Sequence, residues 1–355
     1  ALPGIEALRA SVRSLQRAKQ AKVPVYAIPG SHDFSPTGKT MLAVLEEAGL
    51  LVNVFRGKVV DGKLRLRVTV DPQTGVAITG ILGKRGMLDR HEYAALDNEY
   101  LKEQLVDGKD AVFLFHTALT ELKPKELSAM DSAPLSMLPE GFSYYAGGHV
   151  HIVADTSLNS EGSAPIVYPG PLFPASFSEL EELGGGRMVL YEDGSFRRES
   201  VNVKGVVRVV FDVSGLDPLQ AAAKVKEGLA QEDIIDRIVL VRLHGALSEG
   251  AVGDIDMRSM VKDIEGQGAY VLLRNTAGVS SPKQGLIKAK NVAASQIEDE
   301  VLREMAGKVG CPFPDKELSV SKGLLRSLSA AKQDGQTKSS YEETVLEEAK
   351  RALGL

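Results

Sequence analysis

Four of the six histidines sit where short apolar runs give way to glycine or charge. His32 lies in Ile28-Pro-Gly-Ser-His-Asp33, His116 ends Val112-Phe-Leu-Phe-His116, and His149 and His151 close Ala146-Gly-Gly-His-Val-His151. An imidazole titrates near neutral pH and offers a nitrogen lone pair, so it serves either as a metal ligand or in proton transfer. Along an extended segment the two rings of His-x-His point to the same side and can hold one ion or two neighbouring ones. Histidine nitrogen with carboxylate oxygen, and no cysteine nearby, suits Mn, Fe or Zn better than a thiolate site would. Paired divalent ions clamp the attacking and leaving oxygens of a phosphoryl transfer. His32 beside Asp33 reads as an acid oriented by a carboxylate, able to protonate a leaving oxygen. His91 and His244 stand alone and read as structural.

The elements that must position these residues alternate between strand and helix. A helix over residues 5–22 places Ile5, Leu8, Val12 and Leu15 on one face. The run Val23 to Pro29 reads as a buried strand, followed by a helix over about 38–48. Val76 to Leu82 and Ala111 to Phe115 read as two further strands, with a charged helix at about 89–105 between them. Phe142 to Ala146, Ile166 to Tyr168 and Met188 to Tyr191 complete a layered α/β unit, in which ligands gather at the carboxyl ends of strands. Gly184-Gly-Gly186 reads as a hairpin turn. Residues 206–275 repeat the alternation on a smaller scale: strands at Val206 to Val213, Ile238 to Leu243 and Ala269 to Arg274, helices after Asp217-Pro218 and at about Asp254 to Glu265. The tail predicts two amphipathic helices, one striped by Leu318, Leu325 and Leu328 with Leu324 beside it. The other is striped by Tyr341, Val345, Ala349 and Leu353. The expected division is 1–204 for the layered unit, 205–278 for a small two-layer α/β domain and 279–355 for a linker with helices.

The 355 residues exceed one ordinary core, and 43% apolar with 25% charged residues is a globular composition. No apolar run approaches the roughly 18 residues that would span a bilayer. A single cysteine, Cys311, cannot form an internal disulfide and fits a reducing cytoplasm. The net charge of -5 confines any nucleic-acid surface to a local patch. One candidate is the acid-free stretch between Glu265 and Glu298 with Arg274, Lys283, Lys288 and Lys290; a solvated loop explains it equally well. Gly38-Lys39-Thr40 lacks the spacing of a nucleotide-binding P-loop.

Pro29-Gly-Ser-His-Asp33, His116 and Gly148-His-Val-His151 resemble the third, fourth and fifth motifs of the calcineurin-like metallophosphoesterases. Gly30 to Thr40, Leu138 to His151, and Tyr168-Pro-Gly170 with Ser176-Phe-Ser178 resemble the meiotic-recombination-eleven nuclease family, called SbcD in bacteria. The resemblance covers about residues 1–200 well, and the compact length is similar to archaeal members. It implies a metallophosphoesterase core carrying two divalent ions, most often Mn. His149 and His116 would bind one ion and His151 the other, with His32 acting on the leaving group and Asp33 orienting His32. The family has Asn before this histidine; Ser31 stands here and offers a weaker ligand. The resemblance also implies action on DNA ends in double-strand-break repair, a homodimer, and a Rad-fifty-type ATPase bound through the C-terminal helices.

The family's first two motifs, Asp-x-His and Gly-Asp-x-x-Asp, belong upstream. Two strands and a crossover take about 30 residues, more than the stretch from Ala1 to Lys22 provides. The chain as written is therefore expected to be a fragment with half a metal shell, inactive alone. Two other readings stand beside the nuclease: a small-molecule phosphodiesterase or phosphatase using the same ions, and a non-catalytic scaffold.

Overall fold

Apolar runs too short for a helix, each buried on both faces, are what the interior of a parallel sheet requires. The computed structural model of the chain shows such a sheet. It describes residues 4–33, 40–84, 90–106, 109–124, 130–158, 164–281, 302–303, 306, 316–330 and 338–354. The chain divides into two compact units, Ala1–Arg208 with Asp233–Leu240 and Gly268–Leu273, and Val209–Glu232 with Val241–Gln267 and Arg274–Leu355.

In the first unit α1 (Ile5–Gln20) leads to the short strand β1 (Tyr26–Ala27), then α2 (Met41–Glu47) and β2 (Val52–Asn53). α1 turns Leu8, Val12 and Leu15 to a half-buried face and leaves Ile5 exposed. Thr40 caps α2 by accepting from the Ala43 amide, and β1 pairs with β2 in parallel. β3 (Gly57–Val60) and β4 (Lys63–Leu66) form a hairpin, followed by β5 (Thr69–Val70) and β6 (Ala77–Ile81). The expected helix at 89–105 is two: α3 (Arg90–Ala94) and α4 (Asn98–Lys102), because Asp97 starts the second by accepting from the Tyr100 amide. Next come β7 (Ala111–His116), β8 (Tyr144–Gly148), β9 (Val153–Ser157) and β10 (Pro165–Pro169).

These strands make a six-stranded sheet in the order β5-β6-β7-β8-β10-β9. The inner four run parallel and the two edge strands antiparallel. Every residue of β6 is buried, as a central strand demands. The core around it joins Leu66, Ile81, Phe113, Phe115, Tyr145, Ile166 and Tyr168. The fold is thus mixed α/β, a multi-strand central sheet flanked by helices, as a metallophosphoesterase-like core requires.

The unit continues with α5 (Phe177–Leu183) and the hairpin of β11 (Gly186–Glu192) with β12 (Ser195–Val201). Gly184 to Gly186 is not the hairpin turn. Gly184 ends α5 in the left-handed region, and the turn is Asp193-Gly194, with φ of 49 and 77 degrees.

β13 (Val206–Asp212), β14 (Ile238–Ala246) and β15 (Val271–Ser280) form a three-stranded sheet in that order, and α6 (Pro218–Leu229) and α7 (Met257–Gly266) lie between them in sequence. α6 begins with a capping box: Asp217 accepts from the Gln220 amide while the Gln220 side chain reaches back. In the second unit α8 (Glu317–Leu328) packs on α9 (Lys338–Leu353). A Cβ at Gly323 would lie 2.8 Å from that of Ala352, so the small face of α8 meets α9. Val320 and Ser327 are buried there, whereas Leu325 and Leu328 of the expected stripe stay exposed. Lys283, Lys288, Lys290, Cys311 and Gly38-Lys39 lie outside the described residues.

The fully buried Tyr168 donates its hydroxyl to the Thr117 carbonyl at 2.6 Å, tying β10 to the residue after His116. Tyr168→Phe removes that donor and is expected to lower stability by about 1–2 kcal/mol in urea unfolding; an unchanged midpoint would show the bond to be dispensable.

Candidate metal and phosphoester site

Parallel pairing brings strand ends to one edge. β7 and β8 are in register with His116 opposite Gly148, and Ile81 of β6 lies opposite Phe115. The chain leaving β6 is bonded to the loop after β1, where the Gly83 amide donates to the Pro29 carbonyl at 2.8 Å. The loop residues 30–33 close on themselves: the Asp33 amide donates to the Gly30 carbonyl, and the Gly30 amide donates to the Asp33 carboxylate, each at 3.0 Å.

His116 is held in a cradle that excludes side chains. A Cβ on Gly83 would lie 2.2 Å from its Cδ2 and 2.8 Å from the Ser31 amide nitrogen. A Cβ on Gly148 would lie 3.0 Å from its Nδ1, and one on Gly30 3.0 Å from its Cε1. The buried Ser31 hydroxyl sits 3.4 Å from Nε2, a long contact. Burial, then the neighbouring imidazole of His149, pushes the His116 pKa from an ordinary 6.5 down to about 4; Asp33 opposes this shift. At neutral pH His116 is therefore uncharged, with a lone pair to donate.

His149 takes φ of 89 degrees, a conformation costly for a residue with a Cβ. The segment is not extended at that point, so His149 and His151 do not share one straight face. His149 instead comes against His116, ring centroids 5.0 Å apart and tilted by 59 degrees. His151 pairs with Glu179 of α5, Nδ1 to Oε1 at 3.0 Å. Burial would raise the Glu179 pKa, but the Ala175 amide and His151 together hold it below the usual carboxylate range. His32 and Asp33 are exposed, and among the described residues they share no hydrogen bond. His244 lies 3.9 Å from Asp212, well away in sequence from these groups.

The structure thus brings together His116, His149, Ser31 and the Gly30–Asp33 turn, and gives His151 a carboxylate partner. A neutral imidazole in a glycine cradle beside a second imidazole fits a divalent ion as part of a shell. Among the described residues, no group of three or more His, Cys, Asp or Glu is arranged to complete one. A cavity of about 440 Å³ lined by Lys19, Val25, Leu50 and Arg56 contains none of the histidines, so donor chemistry rather than concavity selects the site. Sequence reasoning missed two members. Glu179 carried only the Ser-x-x-Glu signature of a helix start, and Gly83 carried no signal at all.

No family model matches the chain. It is 29% identical over 222 residues to the DNA double-strand break repair protein Mre11 of Methanopyrus kandleri, covering 61% of this chain and 44% of that protein. The namesake from Archaeoglobus fulgidus is 27% identical over 214 residues, 59% of this chain and 45% of its own length. That of Methanococcus maripaludis is 25% identical over 186 residues, 51% and 45% respectively. These similarities support an Mre11-like metallophosphoesterase family. The chain spans less than half the length of these curated Mre11 relatives. No helix among its described residues is long and apolar enough to cross a membrane.

Two outcomes test the site as drawn. Gly83→Ala forces His116 or the Ser31 backbone to move, at a cost of about 1–3 kcal/mol in urea unfolding together with displaced His116 resonances. A silent substitution would refute the cradle. The His116 imidazole in metal-free protein is expected to titrate by NMR near 4 rather than 6.5. Because the unfolded chain takes up that proton first, the linked stability is complete above pH 6.5 and declines as pH falls toward 4. A midpoint near 6.5 would contradict the burial.

Proposed function

We propose that the chain supplies the histidine-rich part of a metal-dependent phosphodiesterase site and acts in a DNA nuclease of double-strand-break repair. The observation that supports this most is the pairing of His116 with His149 at 5.0 Å where two parallel strands end, beside the Ser31 turn. In this reading His116 and His149 would hold one divalent ion and His151 the second, with the Ser31 hydroxyl a weak ligand at most. Mn²⁺ is the ion we favour; bound as a pair, such ions supply Lewis-acid activation of the phosphoryl group and its nucleophile. In this reading His32, exposed on the turn that Asp33 shapes, donates a proton to the leaving oxygen. The remaining ligands would be carboxylates. The stretch before β1 offers only Glu6, already paired with Arg9 at 3.0 Å.

DNA ends as substrate, a homodimer, and a Rad-fifty-type ATPase partner follow from the Mre11 resemblance. Residues 205–278 would form the domain that contacts DNA. The exposed Leu325, Leu328 and Leu346 on α8 and α9 support a docking role for the C-terminal helices.

The test compares hydrolysis of single-stranded DNA and cyclic nucleotides by the full gene product with Mn²⁺. DNA is expected to be the better substrate, His32→Ala to slow its cleavage about 100-fold or more, and residues 1–355 on their own to turn over little. Preference for cyclic nucleotides would favour a small-molecule phosphodiesterase, and full turnover by residues 1–355 would overturn the half-shell reading.

A further inference from the structure

The carboxylate that meets His151 is held more firmly than the imidazole. Glu179 Oε1 lies 3.0 Å from His151 Nδ1, while its other oxygen, Oε2, accepts the Ala175 amide at 2.9 Å. Its own amide donates to the Ser176 hydroxyl at 3.2 Å, which fixes the first turn of α5. One residue on, Leu180 is buried with Ile238 and Leu240, so the helix that carries the carboxylate is anchored in a core. The side chain of Glu179 is 25% exposed against 51% for His151. The anchored group orients the freer one.

We propose that Glu179 is a positioning residue for His151, accepting a hydrogen bond from Nδ1–H so that Nε2 is left with the lone pair. An isolated neutral imidazole prefers to carry its proton on Nε2, which would turn a donor hydrogen rather than a lone pair outward. A carboxylate on Nδ1 reverses that preference, fixes the ring plane and raises the basicity of the opposite nitrogen. The assignment rests on the reading of His151 as a donor in the phosphodiesterase site, but the orientation can be measured without metal or substrate.

The experiment is a long-range proton–nitrogen correlation spectrum of metal-free residues 1–355 labelled with nitrogen-15. The His151 signals are identified by their loss in His151→Gln. Wild type is expected to show the Nδ1–H tautomer. Glu179→Gln, whose amide oxygen still accepts, is expected to retain it, and Glu179→Ala to shift the population toward Nε2–H. An Nε2–H tautomer in wild type, or no response to Glu179→Ala, overturns the proposal. A second measurement, Mn²⁺ affinity of the full gene product, is expected to fall about 10- to 100-fold in Glu179→Ala and less in Glu179→Gln. A tautomer that responds while Mn²⁺ affinity does not would overturn the functional reading of His151 and leave its orientation by Glu179 standing.

Discussion

The parallel register of β6, β7 and β8 is the constraint on which the candidate site depends. A strand's side chains alternate between faces, so a slip of one residue would carry His116 from the strand-end edge into the wrong layer. The register found here sets His116 opposite Gly148 and places the exit of β6 beside the loop after β1. Three chain segments far apart in sequence thereby meet around one imidazole. The core of Phe113, Phe115, Tyr145 and Tyr168 prevents slippage, because each of these rings is fully or almost fully buried.

Within that frame, environment separates residues of identical type. His116 is enclosed, and burial keeps it uncharged. His151 is half exposed and leans on an ionised carboxylate. His32 is exposed on a turn whose conformation is set by Asp33 bonding to Gly30. In the function proposed above, the enclosed imidazole would serve as a neutral donor and the one against the carboxylate as an oriented donor.

Much of this was legible in the residues. The apolar runs of β6 and β7 point to a parallel sheet because they are too short for a helix and suit a strand covered on both faces. The four histidines stand out because they follow such runs. Two hairpins were not read, although Asp61-Gly62 and Asp193-Gly194 are strong turn signals. The single helix expected at 89–105 gave way to two because Asp97 competes for the backbone and starts a new turn. In α8 the leucine stripe misled, since close approach at Gly323 favours a face of small residues over one of large ones. Gly83 and Glu179 were invisible for a different reason. Each matters through a contact with a residue at least 28 positions away, and local pattern does not encode such distances.

His149 adds a consequence for anyone altering this protein. Its backbone sits at φ of 89 degrees, where glycine would rest without penalty. Replacing the histidine by glycine would discard the imidazole and relax the chain at the same time. In the proposed site, a screen that reads only backbone ease, whether in a laboratory library or by automated redesign, would not register the ligand that was lost.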